Sequence, residues 1–332
     1  MAKVDDPRHA PSIRWGILGA GGIAGTFADA VSSHTRSPVL AVGSRNRDRG
    51  ERFARAHGIP TTHVGYRRLV EDPLIDVIYV ATPHSEHRAN ALLAIAAGKH
   101  VLVEKAFTRS AAEAEEVFAA ARAAGVFVME AMWTRFLPHV AALHQVVAAG
   151  EVGEIINVSA DHGQTFAPAS RLFDPELAGG ALLDLGVYPV SFAHDFLGVP
   201  DAVTAVGKLT DTGVDGQVSM ILSYGQRAQA TLSTTLWART PTTASISGTD
   251  GSIEVAGSFY GLTTFTVNRR DQSEWTFDTQ ASGGMQYEAA EVARRVAAGE
   301  LESPLMTWDN TLEVMRTLDS VRAQVGLVYP GE

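Results

Sequence analysis

Between Ile13 and Ala131, six short β-rich runs alternate with alanine-rich helical stretches, the pattern of βαβ units laid on a parallel sheet. The runs are 13–18, 39–44, a weaker one near 61–63, 76–81, 100–104 and 126–130. The first passes directly into Gly19-Ala20-Gly21-Gly22-Ile23-Ala24, and a helical stretch follows. In that order each small residue has a task. Gly19 permits a tight turn, Gly21 lets the backbone approach a pyrophosphate, and Ala24 lets helix pack on strand. Phosphate would rest on the N–H groups that open the helix at Gly22 and Ile23, where the helix dipole favours an anion. The spacing predicts a doubly wound dinucleotide-binding domain.

The tip of the second strand selects between nucleotides. An NAD-specific domain usually places an acid there, about 20 residues beyond the fingerprint, on the ribose 2′-hydroxyl. This chain reads Val42-Gly43-Ser44-Arg45-Asn46-Arg47-Asp48-Arg49. With Ser44 and Arg45 at the tip, a guanidinium matches a 2′-phosphate in charge and fork geometry, so NADP is the expected cofactor and NAD the alternative. Arg47 and Arg49 are secondary candidates. At the fourth tip, Thr82, Pro83, His84 and His87 are expected to line the cofactor, because Pro83 stops the strand and Ser85 can cap the next helix. His84 and His87 are spaced like a ligand pair but lack a third partner, so no metal is expected.

After Gly150 the texture changes to longer strand-like runs punctuated by hairpin signals such as Gly248-Thr249-Asp250-Gly251. Segments 202–210, 214–224, 227–237, 242–248 and 251–256 can build one meandering antiparallel sheet, with helices near 182–197 and 286–298 covering one face. The expected fold class is therefore α/β: a Rossmann domain over residues 1–133, then an α+β domain over 134–332 with a large, mainly antiparallel, open-faced sheet. That second domain is expected to bind substrate and to oligomerise. Gln229, Thr231, Ser233, Thr235 and Trp237 alternate with Ala228, Ala230, Leu232, Thr234 and Leu236 and present a mildly polar face that can meet its copy in a homodimer.

Composition narrows the function classes. The net charge of −10, with no basic stripe, argues against a nucleic-acid or anionic-membrane partner. The chain has no cysteine, which excludes disulfides and thiolate chemistry. No stretch reaches the roughly 18 apolar residues of a membrane span, and the first dozen residues lack the apolar core of a secretory leader, so a cytoplasmic protein is expected.

Chemistry converges on three residues. Lys105 ends the fifth strand, and in open parallel sheets ligands lie beyond the carboxyl ends of the strands. A cation there can hold a substrate oxygen and lower the pKa of a neighbouring acid. In Gly179-Gly180-Ala181-Leu182-Leu183-Asp184-Leu185-Gly186-Val187-Tyr188, Asp184 and Tyr188 stand four apart, on one face of a helix. Tyr188 is the expected acid/base, since a phenol is useful at neutral pH when a cation depresses its pKa. Asp184 can orient the substrate or balance Lys105.

These segments, together with Met129 to Phe136, Thr212 to Asp215, Ser247 to Gly251 and Met285 to Glu288, resemble the glucose-fructose oxidoreductase, inositol dehydrogenase and MocA family. Within it, the chain is most similar to the dimeric dihydrodiol dehydrogenases and NADP-dependent D-xylose dehydrogenases. The resemblance implies a pyridine-nucleotide oxidoreductase that acts on a secondary alcohol of a sugar or cyclic diol. It carries over Lys105 and Tyr188 as the catalytic pair, Asp184 as their partner, and Glu104, Trp133 and Arg135 as residues beside the cofactor. The substrate pocket is then expected to involve Lys105, Trp133, His162, Asp184 and Tyr188, with Phe166, Arg171 and Phe173 nearby. Alternatives are an NAD-dependent inositol or sugar dehydrogenase and a catalytically silent NADP-binding regulatory protein. The family usually reads Glu-Lys-Pro where this chain has Glu104-Lys105-Ala106, and loss of the ring is expected to loosen the lysine.

Overall fold

The structure is a computed structural model that describes residues 4–332. It divides into two compact units, a first of Asp5–Phe136 with Gly283–Leu312 and a second of mainly Leu137–Ser282 with Glu313–Glu332.

The first unit is built on six parallel strands: β1 (Trp15–Leu18), β2 (Val39–Ser44), β3 (Thr61–Val64), β4 (Val77–Val80), β5 (His100–Glu104) and β6 (Val128–Ala131). Their order is β3-β2-β1-β4-β5-β6, the doubly wound arrangement with its switch point between β1 and β4. Helices α1 (Gly22–His34), α2 (Arg47–Ala56), α3 (Tyr66–Val70), α4 (His87–Ala96) and α5 (Ala111–Ala124) make the crossovers. Phe27 on α1 packs edge-on against Trp15 of β1 and stacks on Tyr79 of β4 at 3.9 Å between ring centres, all three rings buried. Such aromatic pairs add roughly 1 kcal/mol each beyond their buried area, so they anchor α1 with its N-terminus at the strand tips.

The second unit carries α6 (Pro138–Ala148), α7 (Val187–Leu197) and eight strands: β7 (Ile155–Gly163), β8 (Ala202–Leu209), β9 (Asp215–Tyr224), β10 (Ala228–Thr235), β11 (Ala244–Gly248), β12 (Gly251–Val255), β13 (Phe265–Arg269) and β14 (Glu274–Phe277). The last two helices are α8 (Gln286–Ala297), in the first unit, and α9 (Trp308–Val325), whose chain passes from the first unit to the second. The sheet order is β14-β13-β12-β11-β7-β10-β9-β8.

Two expectations are corrected. The sheet is no simple meander, because β7, which the hairpin signals do not mark, lies between β10 and β11 and runs parallel to β10. Helix α8 does not cover this sheet: it belongs to the first unit, where it packs on α1.

Register explains the two faces. Met220, Leu232, Ala160, Ala244, Val255 and Phe265 stand in one cross-strand row and are buried. One residue along, Thr204, Ile221, Thr231, Ser159, Ser245, Glu254 and Thr266 form the opposite row. This second row is exposed or half-buried, a carpet of hydroxyls with Ile221 45% exposed and nearby Val206 69% exposed. Period-two alternation puts successive residues of a strand on opposite faces, so a one-residue slip would invert both faces.

Candidate functional site

In the first unit the fingerprint loop takes the shape its glycines allow. Gly19 has φ +105°, and a Cβ there would stand 2.6 Å from the carbonyl oxygen of Ala81, the residue after β4, so only glycine fits. An added Cβ at Gly21 or Gly22 would meet nothing within 4 Å. Helix α1 starts at N-cap Gly21 with no side chain bonded to its first N–H groups. Open space and uncapped donors at a helix start are what a pyrophosphate requires. Ala24 is buried against the strands and Ile23 is 40% exposed.

Ser44 is the last residue of β2 and Arg45 follows it. Ser44 is buried, and its hydroxyl donates to the Asn46 carbonyl at 2.9 Å, which shapes the turn into α2. Arg45 is the exposed cation there, 3.6 Å from Glu86 and over the Tyr66 ring at 5.9 Å. Arg49 Nε donates to the Ala20 carbonyl at 3.1 Å, which brings a second guanidinium onto the fingerprint loop itself.

At the β4 and β5 tips the two histidines serve the backbone. His84 Nε2 lies 3.2 Å from the Lys105 carbonyl. His87 sets Nδ1 at 3.0 and 3.2 Å from the carbonyls of Ala106 and Phe107, and Nε2 at 2.8 Å from that of Thr82. Pro83 caps the short turn that holds His84, and Thr82 accepts a hydrogen bond from Asn90 at 3.1 Å. These two rings therefore act on the segment that bears Lys105. That segment has further support: Phe107 N–H donates to Glu130 at 3.1 Å. The loosening expected from Ala106 meets a backbone held from three sides.

Behind the lysine lie three buried carboxyls. Glu104 accepts the Tyr79 hydroxyl, Glu130 accepts the Thr311 hydroxyl at 3.1 Å, and Glu288 on α8 has no hydrogen-bond partner on either oxygen. Burial pushes Glu130 up to about 7, against the Thr311 and Phe107 bonds and the Arg135 charge, which pull it down. Burial, then the charges of Glu104 and Glu130, raise Glu288 well above the carboxylate range. Arg135 also reaches Asn310 at 3.5 Å, and the Trp133 indole lies so close to Gly284 that a Cβ there would stand 2.5 Å from the ring.

In the second unit Asp184 sits in a single π-turn, Leu182–Gly186, that runs into α7 carrying Tyr188. Such π-turns recur at functional sites. Arg171 donates to Asp184 at 2.9 Å, a local counter-charge that spacing alone does not reveal. Tyr188 is 7% exposed and lies among rings: its centre is 5.4 Å from that of His162 and 4.7 Å from that of Tyr260, which stacks on His162 at 4.4 Å. Sequence reasoning missed Tyr260, which has no motif around it. Gln164 contacts His162 Nε2 at 2.9 Å. Phe166 and Phe173 are partly buried and pack against Leu172, Ala181, Leu185 and Leu236, a small core cluster. Among the described residues, no group of three His, Cys, Asp or Glu side chains is placed to hold a metal ion, and no helix is long and apolar enough to cross a membrane.

Residues 13–132 match the oxidoreductase family with an NAD-binding Rossmann fold, and residues 140–254 match the GFO/IDH/MocA C-terminal domain. The chain belongs to the GFO/IDH/MocA family. It is an oxidoreductase with a Rossmann nucleotide-binding domain. It is 36% identical to trans-1,2-dihydrobenzene-1,2-diol dehydrogenase of Sus scrofa, over 96% of this chain and 98% of that protein. Identity to the Homo sapiens enzyme of the same name is 34%, with the same coverage. Among solved structures, the complex of KijD10, a 3-ketoreductase from Actinomadura kijaniata, with NADP and TDP-benzene has TM-score 0.84 at 28% identity, covering 95% of this chain and 98% of that one. Levoglucosan dehydrogenase, complexed with NADH and levoglucosan, has TM-score 0.86 at 21% identity, covers 97% of this chain and 100% of that one, and bears on the fold alone.

Proposed function

We propose that this GFO/IDH/MocA member is an NADP-dependent dehydrogenase of a secondary alcohol on a sugar or cyclic diol. The observation that carries the reading is the phenol of Tyr188 set against the His162 and Tyr260 rings on the helix that also bears Asp184. Aromatic walls suit the apolar face of a small ring, and the phenol supplies the proton-transfer group. Likeness over nearly the full length to dihydrodiol dehydrogenases supports the same substrate class.

Gly21, Gly22 and the first turn of α1 would hold the pyrophosphate, with Arg45 on the 2′-phosphate and Arg49 beside the loop. A nicotinamide nucleotide held there would supply the hydride acceptor for the alcohol carbon. Tyr188 takes the hydroxyl proton, the ammonium of Lys105 stabilises its phenolate, and Asp184 orients the alcohol; reduction reverses these roles. Screening diols and aldoses with NADP at the nicotinamide absorbance tests the assignment. Tight NADP binding without turnover across that panel would favour the regulatory alternative.

Nucleotide choice has its own test. Arg45→Ala is expected to weaken NADP binding about 10- to 100-fold, the worth of a charge-assisted contact, with NAD affinity unchanged. An equal loss for both nucleotides, or none, refutes the 2′-phosphate role.

The hydroxyl-rich sheet face with Ile221 and Val206 is proposed to meet a second copy of the chain. Light scattering should give twice the 35.3 kDa of one chain, and Ile221→Glu should halve it. A parent that stays monomeric at all concentrations sinks the dimer.

A further inference from the structure

Asp215 opens β9 and is fully buried, yet no step of the proposed reaction uses it. Its Oδ2 accepts the Leu182 N–H at 2.6 Å. Leu182 begins the π-turn that carries Asp184 and leads into the helix of Tyr188, and no side chain within that segment caps it. Two further side chains hold the same entry. The Tyr329 hydroxyl donates to the Gly179 carbonyl at 2.8 Å. The Thr234 hydroxyl reaches the carbonyls of His162 at 3.0 Å and Ala181 at 3.4 Å, which ties the start of the helix to the strand of His162. Between them Gly180 has φ +115°, and a Cβ there would stand 2.0 Å from Asp215 Oδ1. The carboxyl thus occupies the space a side chain at 180 would need.

We propose that Asp215 is a positioning residue, which sets Asp184 and Tyr188 for catalysis by gripping the Leu182 N–H at the start of their helix. The proposal rests on the reading of Tyr188 as acid/base. Burial pushes the Asp215 carboxyl up to about 7, while the backbone N–H groups of Leu182, Asp215 and Ala181 and the charge of Arg322 pull it down. In either protonation state an oxygen remains to accept from Leu182, so the grip needs the acceptor rather than the charge. Without it, the first N–H groups of the segment lose a partner and the turn can shift.

The experiment compares Asp215→Ala with Asp215→Asn by steady-state kinetics, and by ultraviolet difference titration of the Tyr188 phenol against a Tyr188→Phe baseline. A shift of about 1 Å at the reacting atoms can cost about 100-fold, so Asp215→Ala should lower kcat by that order and leave the KM for NADP unchanged. Asp215→Asn, which keeps the acceptor oxygen, should recover most of kcat. The Tyr188 titration should move in the alanine variant and return in the asparagine variant. Should the alanine chain not fold, Asp215→Ser, whose hydroxyl falls short of Leu182, is read in the same assays. A folded Asp215→Ala or Asp215→Ser protein with parental kcat and parental Tyr188 titration overturns the proposal, as does an asparagine variant as impaired as the alanine one. Failure of the acid/base reading shows separately, as full turnover in Tyr188→Phe, and the Tyr188 titration then decides on Asp215 alone.

Discussion

Lys105→Met is expected to lower turnover by about 10³-fold or more while NADP binding stays within a few-fold of the parent, because a positioned cation acts on charge that develops during reaction. Methionine keeps most of the stem and removes only the ammonium. The segment itself should not move. His84 and His87 hold the carbonyls of Lys105, Ala106 and Phe107, and Glu130 holds the Phe107 N–H. None of these contacts involves the lysine side chain, so all of them are kept in Lys105→Met. Stopped-flow turnover and equilibrium nucleotide binding, measured on one preparation, check both expectations. Near-normal kcat would remove Lys105 from the mechanism.

Glu288→Gln is expected to resist urea better than the parent at pH 8 and about equally at pH 5. The sign follows from the direction of the shift. Burial, then Glu104 and Glu130, raise the folded pKa of Glu288 above its unfolded value. The stability this carboxyl contributes is therefore complete below the unfolded carboxyl range and is lost as pH rises toward the folded pKa. While it keeps its proton, each pH unit above that range costs about 1.4 kcal/mol, so the gap between parent and variant widens from pH 5 towards pH 8. Glutamine is neutral throughout and lacks this penalty. Glu130, raised to about 7, adds to the same decline over the same window. Parallel urea midpoints for parent and variant between pH 5 and pH 8 would mean that Glu288 is not held protonated.

Both results concern the ground under Lys105, and most of that ground is not visible along the chain. The lysine can be found because β5 is a short apolar run whose period and place among βα units mark its carboxyl end. Glu288 lies far along the chain, on a helix whose own pattern suits either unit. Only packing on α1 assigns it to the first, where it faces Glu104 and Glu130. The same contrast appears at the β2 tip. Arg45 follows from strand position alone, whereas the reach of Arg49 to the Ala20 carbonyl needs α2 to be placed.

In the second unit, β10 is evident from its alternation, and Asp184 with Tyr188 from their spacing. Strand β7 escaped notice because its last residues, Ser159-Ala160-Asp161-His162-Gly163, are small or polar, and its parallel partner β10 lies some seventy residues on. Tyr260 escaped for the same reason, since only the folded sheet and its loops bring it against His162 and Tyr188.

Local periodicity and the Gly19-x-Gly21-x-x-Ala24 turn determined, without any structure, the parallel sheet, its nucleotide site, the cation at Lys105 and the acidic and phenolic groups of one helix. Backbone sterics and side-chain period act over a few residues, so a linear reading reaches them. Which groups surround those residues was decided by tertiary structure alone: the histidine carbonyl clamp, the three buried carboxyls, the ring cluster around Tyr188 and the Asp215 grip on Leu182. These depend on pairings across long stretches of chain, whose register is set by burying one face of each strand and helix against partners the local sequence does not name.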